Sequence, residues 1–130
     1  IEDFWVSAPQ APRSMDEAAM KKFVSALVGT HDFACFCSSG NTTKTTQRII
    51  TGSELLREEE HGWIFEIRGN GFLQHMVRIL AGTLLGIGKG ELDANEMIGM
   101  LGGVGGRYKA GVTLPAHGLC LERIRYFGEC

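Results

Sequence analysis

One cation stands out by its surroundings. Arg78 is flanked by Met76, Val77, Ile79 and Leu80. At helical period Phe72, Met76, Leu80 and Leu84 form an apolar row, with Leu73, Val77 and Ile87 beside it. The spacing predicts a long central helix opening at Gly69-Asn70-Gly71 and buried on most sides, interrupted only by Gln74, His75 and Arg78 on one side. A guanidinium in such a surface is costly unless a carboxylate receives it, usually in a bidentate pair. The plain alternative is an arginine reaching water at a helix end. The mid-helix position favours the first reading. The chemistry is that of a fixed cation that holds an acid ionised and aimed.

Other groups offer weaker signals. Ser38 to Arg48 is rich in Ser, Thr and Asn and carries Lys44 and Arg48 without an acid, so it is locally basic. Such a loop can donate to phosphates, but two charges alone describe an ordinary solvated loop equally well. His31 and Asp32 are adjacent, and neighbours in sequence rarely aim at one reactant. With Phe33 and Phe36 beside them they read as hydrogen-bonded members of a packed corner. His31, Cys35 and Cys37 are the candidate ligands of a metal site. A Cys-x-Cys pair in a strand points to opposite faces, however, and makes a poor chelate. Gly69-Asn70-Gly71 can present backbone N–H groups to an anion at a helix start, yet it has neither P-loop nor dinucleotide spacing. Gly102 to Arg107 has no strand before it and reads as a flexible connection.

The totals narrow the class. A chain of 130 residues is one domain by size and large enough for a real core. Its net charge of -2 gives no global electrostatic case for nucleic acid. No apolar run approaches membrane length, and no signal peptide is visible. Cys35, Cys37, Cys120 and Cys130 lack a spaced pair-of-pairs pattern, which favours reduced thiols in a cytoplasmic protein. The opening on Ile1 with a strand-like Phe4-Trp5-Val6 reads as a cut from a longer polypeptide.

The elements that must position these groups follow in order. Residues 1–13 form a strand and linker entering the domain, 14–127 the domain and 128–130 a tail. Ser14 and Glu17 fit a capping box, and Met20, Phe23, Val24 and Leu27 give that helix its buried side before Gly29. Arg48 to Leu56 reads as a strand, Glu58 to Gly62 as a hairpin turn, and Trp63, Phe65 and Ile67 as the inner side of the returning strand. Asp93 and Glu96 cap a short helix through Leu101, and Leu119 to Tyr126 is a closing strand. The fold class is α+β, an antiparallel sheet with helices packed on one face.

The sequence Gly69-Asn70-Gly71-Phe72-Leu73-Gln74-His75-Met76-Val77-Arg78-Ile79-Leu80, followed by Gly82-Thr83-Leu84-Leu85, resembles the central motif of the TruA-type tRNA pseudouridine synthases. His31-Asp32-Phe33 with Phe36, the Lys44/Arg48 segment and Ala110-Gly111-Val112-Thr113-Leu114-Pro115-Ala116-His117-Gly118-Leu119-Cys120-Leu121 resemble that family's other C-terminal blocks, in the same order. The likeness runs from about Ser14 to Tyr126. It implies a pseudouridine synthase half-domain that acts with tRNA, in the anticodon arm, without metal or organic cofactor, as a homodimer when full length. It also implies that Arg78 pairs with the catalytic aspartate, that Leu119 lines the base pocket and that Lys44 and Arg48 meet RNA. Asn70 joins them at the substrate. Phe72 either supports the pocket wall or packs in the core, and His75 either contacts phosphate or completes a hydrogen-bond network. The family's nucleophile stands in an Arg-Thr-Asp setting, and none of Asp3, Asp16, Asp32 and Asp93 does. The resemblance therefore implies an enzyme half that is inactive alone. A non-catalytic RNA-binding module is the competing reading, and the sequence upstream of Ile1 discriminates the two.

Overall fold

In the computed structural model, described over residues 2–8, 15–37, 45–58, 62–73, 75–111 and 120–126, five strands form one sheet. They are β1 (Glu2–Ala8), β2 (Gly29–Asp32), β3 (Gln47–Glu58), β4 (Gly62–Gly69) and β5 (Cys120–Tyr126). The order is β2-β3-β4-β1-β5, and every pairing is antiparallel. The strand expected around Phe4–Val6 is thus β1, inside the sheet between β4 and β5. Three helices, α1 (Glu17–Ala26), α2 (Met76–Gly88) and α3 (Ala94–Gly99), complete the α+β arrangement.

The β3–β4 hairpin makes the clearest link from pattern to packing. Trp63, Phe65 and Ile67 alternate toward the helices and join Ile50, Phe23, Phe36 and Leu80 in one apolar core. The Arg57 guanidinium lies 5.1 Å from the Trp63 ring centroid, a cation–π contact at the rim of that core. Glu54, Glu66 and Arg68 take the opposite face by register. Ile64 shares that outer face and is nonetheless buried, in the middle of the sheet on a strand paired on both sides.

Two helix starts differ from expectation. Asp16 caps α1, its carboxylate accepting from Ala19 N at 3.1 Å, while Ser14, the expected cap, lies outside the described residues. Asp16 N also donates to Gly88 O at 2.9 Å, which ties the start of α1 to the end of α2. Glu17, expected to reach back to Ser14, pairs with Lys21 one turn on at 2.9 Å. The second difference is larger. α2 begins at Met76, so Phe72 and Leu73 lie before it and Arg78 falls in its first turn rather than mid-helix. Leu73 and Phe72 still pack against the core, which is why their spacing mimics helix. Periodicity reports which residues reach the core, not the backbone that carries them.

The segment around His31 also differs. It is an edge strand, β2, paired with β3 through His31↔Arg48 and Asp32↔Gln47. The expected hydrogen bonding is present. His31 Nε2 lies 3.1 Å from Val28 O, and Asp32 Oδ1 accepts from Ala34 N at 3.0 Å and from Thr46 Oγ1 at 2.5 Å. Cys35 lies in a 3-10 turn, Ala34–Phe36, and both Cys35 and Cys37 are buried. The strand geometry invoked against chelation is therefore not the one observed. α3 starts as expected, with Asp93 Oδ1 accepting from Asn95 N at 3.0 Å.

Candidate functional site at the start of α2

β4 ends where the backbone must pass close to β3. A Cβ on Gly69 would sit 2.8 Å from Ile49 O, so this position admits only glycine without movement of a strand. Asn70 then extends the ladder by one rung: its N donates to Ile49 O and its Oδ1 accepts from Ile49 N, both at 3.1 Å. The side chain thus stands in for a backbone carbonyl after the strand has turned away. This gives Asn70, expected at the substrate, a defined structural duty.

The chain next turns through Gly71 and reaches His75, which precedes α2 in the left-handed region at φ 61°. For a non-glycine residue this costs about 1–2 kcal/mol. His75 is exposed and makes no side-chain cap on α2. Arg78 is the third residue of α2 and half-buried, and the first turn contains no acid. The aligned peptide dipoles place positive potential at this end, so a cation here costs the helix roughly 0.3–1 kcal/mol. Acids are the residues that helix stability favours at this place. The observed arrangement is the reverse, and it makes the start of α2 attractive to an anion.

Arg48 comes to the same turn from β3. Its Nε lies 4.0 Å from where a Cβ on Gly71 would be, and its Nη1 donates to Thr45 O at 3.0 Å and Gln47 O at 2.7 Å. The structure therefore brings Arg48 to the Asn70–Gly71 turn that leads through Phe72 and His75 to Arg78. Phe72 is half-buried and packs against the core. Lys44, Gln74 and Leu119 lie outside the described residues.

Sequence reasoning missed one constellation on α2. Thr83 is fully buried, its Oγ1 donates to Ile79 O at 2.8 Å, and it accepts from Gly111 N at 2.9 Å. Arg107 Nη1 donates to Gly111 O at 2.8 Å. The available signal was a single threonine within Ile79–Leu85, otherwise apolar or glycine.

Three of the four aspartates carry structural duties: Asp16 and Asp93 cap helices, and Asp32 anchors the turn after β2. Among the described residues no three His, Cys, Asp or Glu side chains could hold a metal ion. Burial pushes the Cys35 thiol pKa up, with the nearby Asp32 and Cys37 acting in the same direction. No helix among the described residues is long and apolar enough to cross a membrane. A cleft of about 390 Å³ lies away from α2's start, at the β2 edge, lined by Thr30, His31, Asp32, Gln47, Ile98 and Leu101 among others.

Comparison with known proteins bears on this arrangement. A family model described as tRNA pseudouridine synthase matches residues 23–127. The chain belongs to the tRNA pseudouridine synthase family. A tRNA pseudouridine synthase A of Shouchella clausii is 46% identical over 114 residues, 88% of this chain and 43% of that protein. Those of Syntrophotalea carbinolica and Acetivibrio thermocellus are 42% and 43% identical, over 86% of this chain and 44% and 45% of theirs. The chain thus spans less than half the length of these relatives, and it corresponds to the C-terminal half of a synthase of this family.

Proposed function

We propose that this chain is the C-terminal half of an enzyme that isomerises uridine to pseudouridine in the anticodon arm of tRNA. The observation that carries the reading is the position of Arg78, a half-buried guanidinium in the first turn of α2, where the helix field opposes it. A cation there serves an anion brought to the helix start, and in this family reading the anion is the nucleophilic aspartate of the other half. Arg78 holds that carboxylate ionised near neutral pH and aims it. The bond from N1 of uracil to the ribose breaks, the base turns, C5 takes the bond and gives up its proton, and N1 gains one. The composition of the nucleoside is unchanged overall, and in this family reading the isomerisation uses neither metal nor organic cofactor.

The remaining residues bind and orient. Leu119 lines the base pocket with Phe72 at its wall, while Lys44, Arg48, His75 and Asn70 face the RNA. The target uridine leaves its stack to reach them. The full-length enzyme works as a cytoplasmic homodimer. None of Asp3, Asp16, Asp32 and Asp93 stands in the family's Arg-Thr-Asp setting, and the last three are engaged in caps and turns, which supports a nucleophile in the other half and an isolated chain without activity.

Nucleoside analysis of tRNA incubated with this chain, and separately with the full-length protein that carries it, tests the reading. The expected result is pseudouridine from the full-length protein only. Full-length protein that binds tRNA and forms none would make this a non-catalytic RNA-binding module. Product from the chain alone would place the nucleophile within it.

A further inference from the structure

We propose that Thr83, Gly111 and Arg107 form a positioning clamp that sets the spacing between Arg78's helix and the chain running on toward β5. Both main-chain polar groups of Gly111 are held: its N–H by the Thr83 hydroxyl at 2.9 Å and its carbonyl by the Arg107 guanidinium at 2.8 Å. The contact is also steric. A Cβ on Gly111 would fall 2.5 Å from Gly82 C and Thr83 Cα, so the backbone lies flat on α2 at its Gly82–Thr83 peptide. Helix backbone cannot give way as the end of a flexible side chain can.

Two features separate this from a threonine that merely satisfies itself. The bond to Ile79 O already uses the Thr83 proton, as buried helical threonines commonly do. The second bond engages a lone pair to tie in a segment distant in sequence. Valine has nearly the same shape and would suit the apolar interior better, yet a hydroxyl stands at this position with no exposure. Thr83 lies five residues beyond Arg78 on the same helix, a rise of roughly 7.5 Å along its axis. A slip of Gly111 along α2 is therefore a slip relative to the guanidinium. Further along, the chain is fixed again where Cys120 of β5 pairs with Ser7 of β1. Thr83 and Arg107 act through this spacing and are positioning residues for Arg78.

The inference rests on the function proposed above and is tested in the full-length protein with three variants. Thr83→Val removes the hydroxyl at almost constant volume, Thr83→Ser keeps it, and Gly111→Ala forces the backbones apart. Steady-state and single-turnover pseudouridine formation are measured below the unfolding midpoint of each. Thr83→Val should lower kcat on the order of 100-fold, the cost of a misplacement near 1 Å, with KM for tRNA unchanged. Thr83→Ser should restore most of it, and Gly111→Ala should fall with Thr83→Val. A Thr83→Val enzyme with wild-type kcat, or a fall that Thr83→Ser does not rescue, overturns the clamp. Wild-type protein that forms no pseudouridine sinks the function reading itself, whereas an active wild type matched by Thr83→Val sinks only the clamp.

Discussion

The Asn70 clasp yields a prediction that separates fold from function at one residue. Asn70 Oδ1 accepts the Ile49 amide at 3.1 Å, on the side of β3 that faces β4. Truncation by Asn70→Ala leaves that N–H to water, since Ile49 and Asn70 are both exposed. The loss is then the net value of one neutral hydrogen bond, about 1 kcal/mol, and not the larger penalty of a buried orphan. A loss of that size corresponds to about a fivefold faster local opening, read as amide hydrogen exchange at Ile49. Asn70→Asp keeps an acceptor in place and should leave Ile49 protected, while its new charge weakens tRNA binding in the full-length protein. Exchange at the α1 amides should not change in either variant. Unchanged Ile49 exchange in Asn70→Ala would refute the clasp and leave Asn70 wholly to the substrate.

Three further outcomes follow from particular interactions. Asp16→Ala removes the α1 cap and should destabilise the protein by about 1 kcal/mol, measured as a lower denaturant midpoint at unchanged slope. Buried Cys35, its thiol pKa raised by desolvation, should resist iodoacetamide in the native protein and react on unfolding, as peptide mapping would show. A raised thiol pKa favours the folded state while the thiol stays protonated, so this contribution is lost as pH climbs beyond the ordinary thiol value of 9.0. In the full-length protein, Lys44→Ala with Arg48→Ala should reduce the salt slope of tRNA binding by about two units, one for each phosphate no longer neutralised. An unchanged slope would remove this segment from the interface.

Much of the fold was legible because pattern and packing agree. The alternation of Trp63, Phe65 and Ile67 gave the inner face of β4, and Asp93 marked the start of α3. What escaped was set by contacts distant in sequence. Phe72 and Leu73 carry helical spacing but precede α2, because a loop can fill the same core as a helix turn. The edge strand β2 is short, and its pairing with Gln47–Ile50 decides its state more than its own four residues do. Asp16 caps α1 and is tied through its backbone to Gly88, a contact distant in sequence. At the candidate site, Arg78 was visible as a cation out of place among apolar neighbours. Its place in the first turn, which reverses the usual charge preference, required the true helix start. The Thr83–Gly111 contact lay beyond the sequence altogether, since nothing local links those two residues.

Turnover of Arg78→Ala in the full-length protein tests the central claim most directly. If the guanidinium prepares the nucleophile, pseudouridine formation should fall by about 100-fold or more, the scale for removing one preorganised charge partner, while tRNA binding stays nearly as it was. Turnover close to wild type would contradict the account.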